Sequence, residues 1–283
     1  MSDLNTGIMQ KNKKGKIIVK RITGQKIYLW AIWTVLVSIS VYTLLTIDTG
    51  NLIIGQAFKD FFRNIQLMFF QARLSDRYTY IEIFHSLVVS ISIAVITTII
   101  GSAIALLLAF FAARNLSSER VSGVIKVCMS FIRAVPTILW VMVFSVVASI
   151  GVEAAILGMT FHSVAYLVKA YSESIEEIDR GIIEALKSTG ASWWLVIFQG
   201  VMPSTIASVL SWTFVRFEIN FTNAVVVGAA SGAGGIGYEM FMAGTMYLDI
   251  KEIGFFTYLI FSVAIILERI SVKLRKKYII RSK

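Results

Sequence analysis

The chain is 283 residues long, 57% hydrophobic and 16% charged, with two prolines and one cysteine. A soluble domain of this length would be about 45–50% apolar and about 25% charged, so the composition excludes an ordinary soluble enzyme. The formal net charge of +10 does not mark a nucleic-acid binder, because the basic residues crowd the two ends and certain connections, where they report membrane topology.

The apolar residues come in blocks of about 20, the length a bilayer demands. Only helices and closed barrels satisfy their backbone in lipid, and the chain reads as an all-α polytopic membrane protein with about six transmembrane helices. In chain order these are residues 27–47, 83–113, 125–150 (with Pro136 inside), 152–171, 204–230 and 253–270. Residues 1–26 form a basic tail, "QKNKKGKIIVKR" at its centre, and no small-residue cleavage site follows the first span, so 27–47 is expected to stay as an anchor. Residues 48–82 form a connection whose "FKDFFRNIQLMFFQARL" has apolar residues near helical spacing. Residues 83–271 form the main membrane body, and 272–283 a second basic tail. With six spans, the two tails and the connections after the second and fourth spans, counted together with Lys126, Lys169 and Arg269 at the span ends, hold twenty Lys/Arg, and the other side holds five. That bias places both termini in the cytoplasm.

The lone Cys128 permits no intrachain disulfide and reads as a small apolar core residue. His162 has no second His or carboxylate at metal spacing, so it reads as a packing histidine rather than a ligand, and no metal site is expected. "GAGGIG" satisfies G-x-G-x-x-G at Gly232, Gly234 and Gly237, but it follows a membrane span and not a strand, so a dinucleotide fold is excluded. Together with Gly235 it reads as an extracytoplasmic turn where backbones approach closely. No G-x-x-x-x-G-K-[ST] run occurs and no catalytic constellation is visible. The chain is expected to be no enzyme and to hold no cofactor.

Ionisable residues in hydrocarbon cost at least ~2.5–3.5 kcal/mol on insertion scales. Arg133, Pro136, Arg216, Glu218, Asn220 and Asn223 are therefore candidates to line a translocation pathway, with Glu218 grouped with Asn220 and Asn223 and set apart from Arg216. Buried hydrogen bonds between helices are the alternative for Arg216 and Glu218. Pro136 is expected to kink the third span.

The polar stretch 174–203 interrupts the apolar pattern. Ile175, Ile178, Ile182 and Leu186 mark one face of a helix. Ser174 is its expected N-cap, and Gly190 the left-handed residue that ends it. Ser192 is expected to cap a second short helix, "WWLVIFQG", with Trp193 and Trp194 at the membrane–water interface. Pro203 opens the fifth span, where its missing N–H costs nothing. An amphipathic loop lying on the bilayer would show much of the same pattern.

This stretch resembles the cytoplasmic signature of ABC-importer permeases: Glu-Ala-Ala, three residues, Gly, nine residues, Ile-x-Leu-Pro. Glu184, Ala185, Gly190 and Pro203 stand at the matching positions, while Leu186 replaces the second Ala and Gly200 and Met202 take the Ile and Leu places. "FIRAVPTILWVMVF" (131–144), "RFEIN" (216–220) and "GAGGIGYEM" (232–240) are similar to phosphonate-type permeases, except that Thr222 stands where those carry Arg. The resemblance implies that 174–203 is a coupling loop docking into an ATP-hydrolysing subunit. It also implies two copies of this chain, two ATPase subunits and an extracytoplasmic substrate-binding protein in a prokaryotic plasma membrane. ATP would be used by the partner. The implied cargo is a phosphonate or related phosphorus oxyanion, the alternatives being another small solute or an ATPase-independent carrier.

Overall fold

A computed structural model describes residues 9–11, 17–19, 23–47 and 53–279, and the chain divides into two units, Met1–Asp60 and Phe61–Lys283. In the first unit, β1 (Met9–Lys11) pairs antiparallel with β2 (Ile17–Val19), a hairpin in the expected basic tail. The remainder of the expected basic tails, 1–26 and 272–283, lies partly outside the described residues. Helix α1 (Thr23–Thr46) is apolar on all sides and exposed from Lys26 onward. Its Thr34, Thr43 and Thr46 hydroxyls donate to the carbonyls of Trp30, Ile39 and Tyr42 one turn back. These three hydroxyls are thus satisfied within the helix, as a lipid environment favours.

Helix α2 (Ile54–Phe70) begins in the first unit and ends in the second. The second unit continues with α3 (Tyr80–Ala112), which opens on a capping box: Thr79 Oγ1 accepts from the Glu82 N–H, and Glu82 Oε2 accepts from the Thr79 N–H at 2.8 Å. Next come α4 (Glu119–Ala134), capped by Ser118, and α5 (Thr137–Ala148). These two meet at 92°. The expected third span is therefore two helices and a corner, a far sharper break than a kink. Pro136 cannot donate a backbone hydrogen bond and pushes Val135 into the extended region (φ −94°, ψ 128°). Trp140 Nε1 donates to the Ile132 carbonyl at 2.9 Å and pins the corner. Cys128 lies on the exposed side of α4, which corrects the core placement: α4 is amphipathic, and only Ser122 and Ile132 on it are fully buried.

Helix α6 (Val152–Glu176) runs through the middle of this unit against α3, α5 and α9. Small residues let it do so. A Cβ at Gly158 would stand 2.6 Å from the Val141 backbone, and one at Gly101 would stand 2.9 Å from Ser163 Cβ, the close approach that membrane helices use in place of a hydrophobic driving force. Then follow α7 (Arg180–Ser188), α8 (Trp193–Val196), a π-helical turn (Ile197–Val201), α9 (Met202–Ser231), α10 (Gly235–Thr245) and α11 (Ile250–Ile279). The second short helix does not stand apart, because α8 runs through the π turn into α9 as one stretch, Trp193–Ser231.

Among the described residues four helical runs are long and apolar enough to cross a bilayer: Lys26–Thr46, Tyr80–Ala112, Trp193–Ser231 and Ile250–Lys276, with a fifth if α4 and α5 form one span. The fold is all-α as expected, and among the described residues four or five runs meet the length and apolarity of a span where six were expected. The expected fourth span, α6, carries Glu153, His162, Lys169, Glu173 and Glu176 and is shielded by its neighbours. The core of the second unit is three clusters. One joins α3, α6 and α9 near Tyr171 and Ile197, one lies around Met159 and Val227, and one gathers Ile83, Ile236 and Phe256.

Candidate coupling segment and buried polar belt

The coupling segment is built by local rules. Ser174 is not its cap: α6 continues through it to Glu176, and Ser174 Oγ donates to the Ala170 carbonyl inside that helix. The cap is Asp179, whose Oδ1 accepts from the Gly181 N–H at 2.9 Å. At the other end of α7, the Gly190 N–H bonds to the Lys187 carbonyl (3.0 Å) and the Ala191 N–H to the Leu186 carbonyl (3.2 Å). Gly190 takes φ +81°. This is the paired closure of a Schellman motif, and it requires a residue comfortable in the left-handed region. Ser192 Oγ then accepts from the Leu195 N–H and starts α8.

Glu184, Ala185 and Gly190 are exposed on this knob, and Pro203 is exposed in the first turn of α9. Glu184 lines an open cavity of about 500 Å³ with Arg114, Asn115, Arg180 and Lys187. The knob is tied to the α3–α4 corner. Trp193 Nε1 donates to the Leu116 carbonyl at 3.0 Å and its ring stacks on Phe111, while Trp194 stays half exposed against Phe198. Asn115 Nδ2 donates to the Ile175 carbonyl (2.7 Å), and Glu176 Oε1 accepts from Lys126 Nζ (2.6 Å) and the Arg114 N–H (2.8 Å). Burial raises the Glu176 carboxyl, but Lys126 and the Arg114 N–H outweigh it and hold the group below the ordinary carboxylate value.

Two of the three departures from the importer signature, Leu186 and Gly200, lie against each other. A Cβ on Gly200 would lie 2.6 Å from Leu186 Cδ1. Where the signature has Ala and Ile, this chain has Leu and Gly, so one side chain has grown into the space another gave up.

The intramembrane polar residues fall into separate groups. Arg216 and Asn220, one turn apart on α9, are 1% and 0% exposed. Arg216 Nε donates to Ser163 Oγ (3.0 Å), and Nη2 meets His162 Nδ1 (3.1 Å). Its guanidinium lies over the Tyr166 ring at 5.0 Å. Asn220 Nδ2 donates to Thr98 Oγ1 (2.9 Å), and its Oδ1 is 3.1 Å from Ser163 Oγ. This belt stitches α3, α6 and α9 together. Glu218 is not part of it. It lies 3.9 Å from Arg275, in a cavity of about 260 Å³ between α9 and α11 with Thr222 and Glu268, and Asn223 is half-buried apart from both. Arg133 sits two residues before Val135, at the Pro136 corner. Sequence spacing pointed to Glu218 with Asn220. The four-residue step from Arg216 to Asn220 was the signal for the belt that forms.

At the opposite end of the second unit, Gly232 caps α9 at φ +61°, and Gly234 and Gly235 follow at φ +74° and +76°. Gly237 is not in the turn but in the first part of α10, pressed on the Val225 carbonyl. A clamp not foreseen from sequence closes this end. The fully buried carboxylate of Glu252 accepts from Arg77 Nη2 (2.7 Å) and from the Ser75 N–H and hydroxyl, and Arg77 also reaches Asp249 (3.2 Å). Arg77 lies over the Tyr247 ring at 4.4 Å.

Long apolar helices around an interhelical polar belt, ending in a capped and exposed knob, define a polytopic membrane protein. The chain belongs to the family described as the binding-protein-dependent transport system inner membrane component, which it matches over residues 105–281. It is 28% identical over 201 residues to the phosphate-import permease protein PhnE of Mycolicibacterium smegmatis, covering 70% of this chain and 37% of that one. It is 28% identical over 193 residues to the phosphite transport system permease protein PtxC of Stutzerimonas stutzeri, covering 68% of this chain and 70% of that one. In fold it is similar to a solved chain of the inward-facing MetNI methionine ABC transporter, with a TM-score of 0.61 at 16% identity over 72% of this chain and 99% of that one. The chain thus spans about a third of the first of these relatives' length and about two thirds of the second's.

Proposed function

We propose that this chain is the membrane-spanning subunit of an ATP-driven importer in a bacterial plasma membrane, carrying a phosphorus oxyanion inward. The observation that carries the reading is the knob at 180–192: a short helix capped at both ends, closed by a left-handed Gly190 with open space where a Cβ would stand, with Glu184 and Ala185 exposed. A loop built only to lie in lipid has no need of a Schellman turn held clear of its surroundings. The family match and the kinship with phosphate- and phosphite-transport permeases support the same reading.

In this reading the knob faces the cytoplasm, the side on which the Lys/Arg bias of a six-span chain puts it, and two copies of the chain each dock one ATPase subunit there. Closure of the ATPases moves the knob, and its ties to the α3–α4 corner through Trp193, Asn115 and Glu176 carry that motion into the helices. A binding protein delivers cargo at the glycine-rich end around Gly232, Gly234 and Gly235. The pathway residues are Arg133, Pro136 and those facing the second copy, and the Arg216–Asn220 belt is the rigid frame behind them. ATP chemistry stays in the partner.

The test is co-purification with a co-expressed ABC ATPase subunit. A Glu184→Lys, Gly190→Pro double variant that still inserts in the membrane is expected to lose at least 90% of the bound ATPase. Retention at the wild-type level would remove the coupling assignment.

A further inference from the structure

Between α4 and α6, beside the Pro136 corner, lies a cavity of about 110 Å³. Pockets that enclose drug-sized ligands run to ~300–1,000 Å³, so this one suits an ion of a few heavy atoms. One face of α4 supplies Lys126, Met129, Ser130 and Arg133, and one face of α6 supplies Lys169, Ser172 and Glu173.

The charges decide its sign. Lys126 is neutralised by Glu176 at 2.6 Å, and Lys169 by Glu173 at 3.7 Å. Arg133 has no carboxylate within 4 Å among the described residues, so the uncompensated charge in the cavity is its guanidinium. The donors are also in place. Arg133 Nη2 donates to Ser130 Oγ at 3.1 Å, which leaves the Ser130 proton free to be given to something else. Arg133 Nε is closed off from solvent without an acceptor, a mismatch that native interiors seldom tolerate without a ligand or water. Ser172 offers a second hydroxyl across the cavity, now resting on the Lys169 carbonyl at 3.0 Å.

Resting on the importer reading, we propose that this cavity binds a free tetrahedral phosphorus oxyanion, with Arg133 as its charged ligand and Ser130 and Ser172 as hydroxyl ligands. A planar guanidinium recognises such oxygens two at a time, and the hydroxyls, from two different helices, take the remaining oxygens. The site lies on the face of α4 and α6 that also carries the Lys126–Glu176 tie to the knob, so occupancy is sensed where the knob is anchored.

The experiment is equilibrium dialysis of radiolabelled inorganic phosphate against the purified full chain in phosphatidylcholine nanodiscs and, in parallel, in detergent. Wild type is expected to bind saturably and equally in both. Arg133→Gln should weaken binding at least tenfold, Arg133→Lys by less, and the Ser130→Ala, Ser172→Ala pair about three- to tenfold. Lys273→Gln, a remote basic position, should leave it unchanged. Equal binding by wild type and Arg133→Gln, or by wild type and the serine pair, would overturn the proposal. So would binding in detergent alone, which would assign the cavity to a lipid headgroup. Absent phosphate binding in a chain that still co-purifies with its ATPase removes this site and leaves the importer reading standing. Phosphate binding with no ATPase partner does the reverse.

Discussion

The two ends of the second unit both depend on glycine, for opposite reasons. At the knob, Gly190 takes φ +81° and nothing lies within 4 Å of where its Cβ would stand. At the far end, Gly237 has ordinary helical geometry, but its missing Cβ is the space in which α10 meets the Val225 carbonyl of α9. One glycine is kept for conformation and the other for room. The knob is thus an outward-facing feature whose shape is set by its own backbone, whereas the far end is a locked junction, reinforced by the Arg77–Glu252 clamp.

The sharpest break of this contrast is Gly237→Ala. A methyl group there meets backbone that cannot rotate away, so the cost should sit at the top of the ~1–3 kcal/mol typical of overpacking, or beyond it. Thermal unfolding in detergent should show the largest drop of any single methyl addition in the chain, and a shift under 2 °C would show that α9 and α10 are not locked. Next comes Gly200→Ile, where the obstacle is the flexible end of Leu186. It should cost about 1–2 kcal/mol, and adding Leu186→Ala should recover most of that, leaving a coupling of about 1 kcal/mol in a double-mutant cycle. Additive single effects would mean these two departures from the signature are unrelated. The smallest effect is Gly190→Ala. With free space around it, only the left-handed backbone penalty of about 1–2 kcal/mol remains, confined to the end of α7 and read as faster amide exchange at Gly190 and Ala191 with little change in global melting. A global loss as large as that of Gly237→Ala would erase the distinction between the two ends.

What was legible from sequence follows the same line. Gly190, Ser192 and Gly232 obey rules a few residues wide, and each could be read from its neighbours. The apolar helices were legible because lipid leaves the backbone no alternative. The misreadings all involve distant partners. Ser174 looks like a cap, but α6 runs on to Glu176 and ends where Lys126, Arg114 and Asn115 from another corner bind it. Pro136 announces a break, while the 92° turn also depends on Trp140 reaching the Ile132 carbonyl. Cys128 is a small apolar residue on a helix whose apolar side is only partly covered. The Glu252 clamp joins residues 175 positions apart, and no local pattern links them.

The π turn at Ile197–Val201 carries a geometric consequence. Trp193 and Arg216 both point into neighbouring helices, and on an unbroken α-helix, at roughly 100° per residue, they would diverge by roughly 140°. The wider winding absorbs one residue and brings them to within roughly 40° of a common bearing. The run Trp193–Ser231 is therefore keyed at both its foot and its waist, by Trp193 on the Leu116 carbonyl and by Arg216 on Ser163, as a shaft is held by two splines.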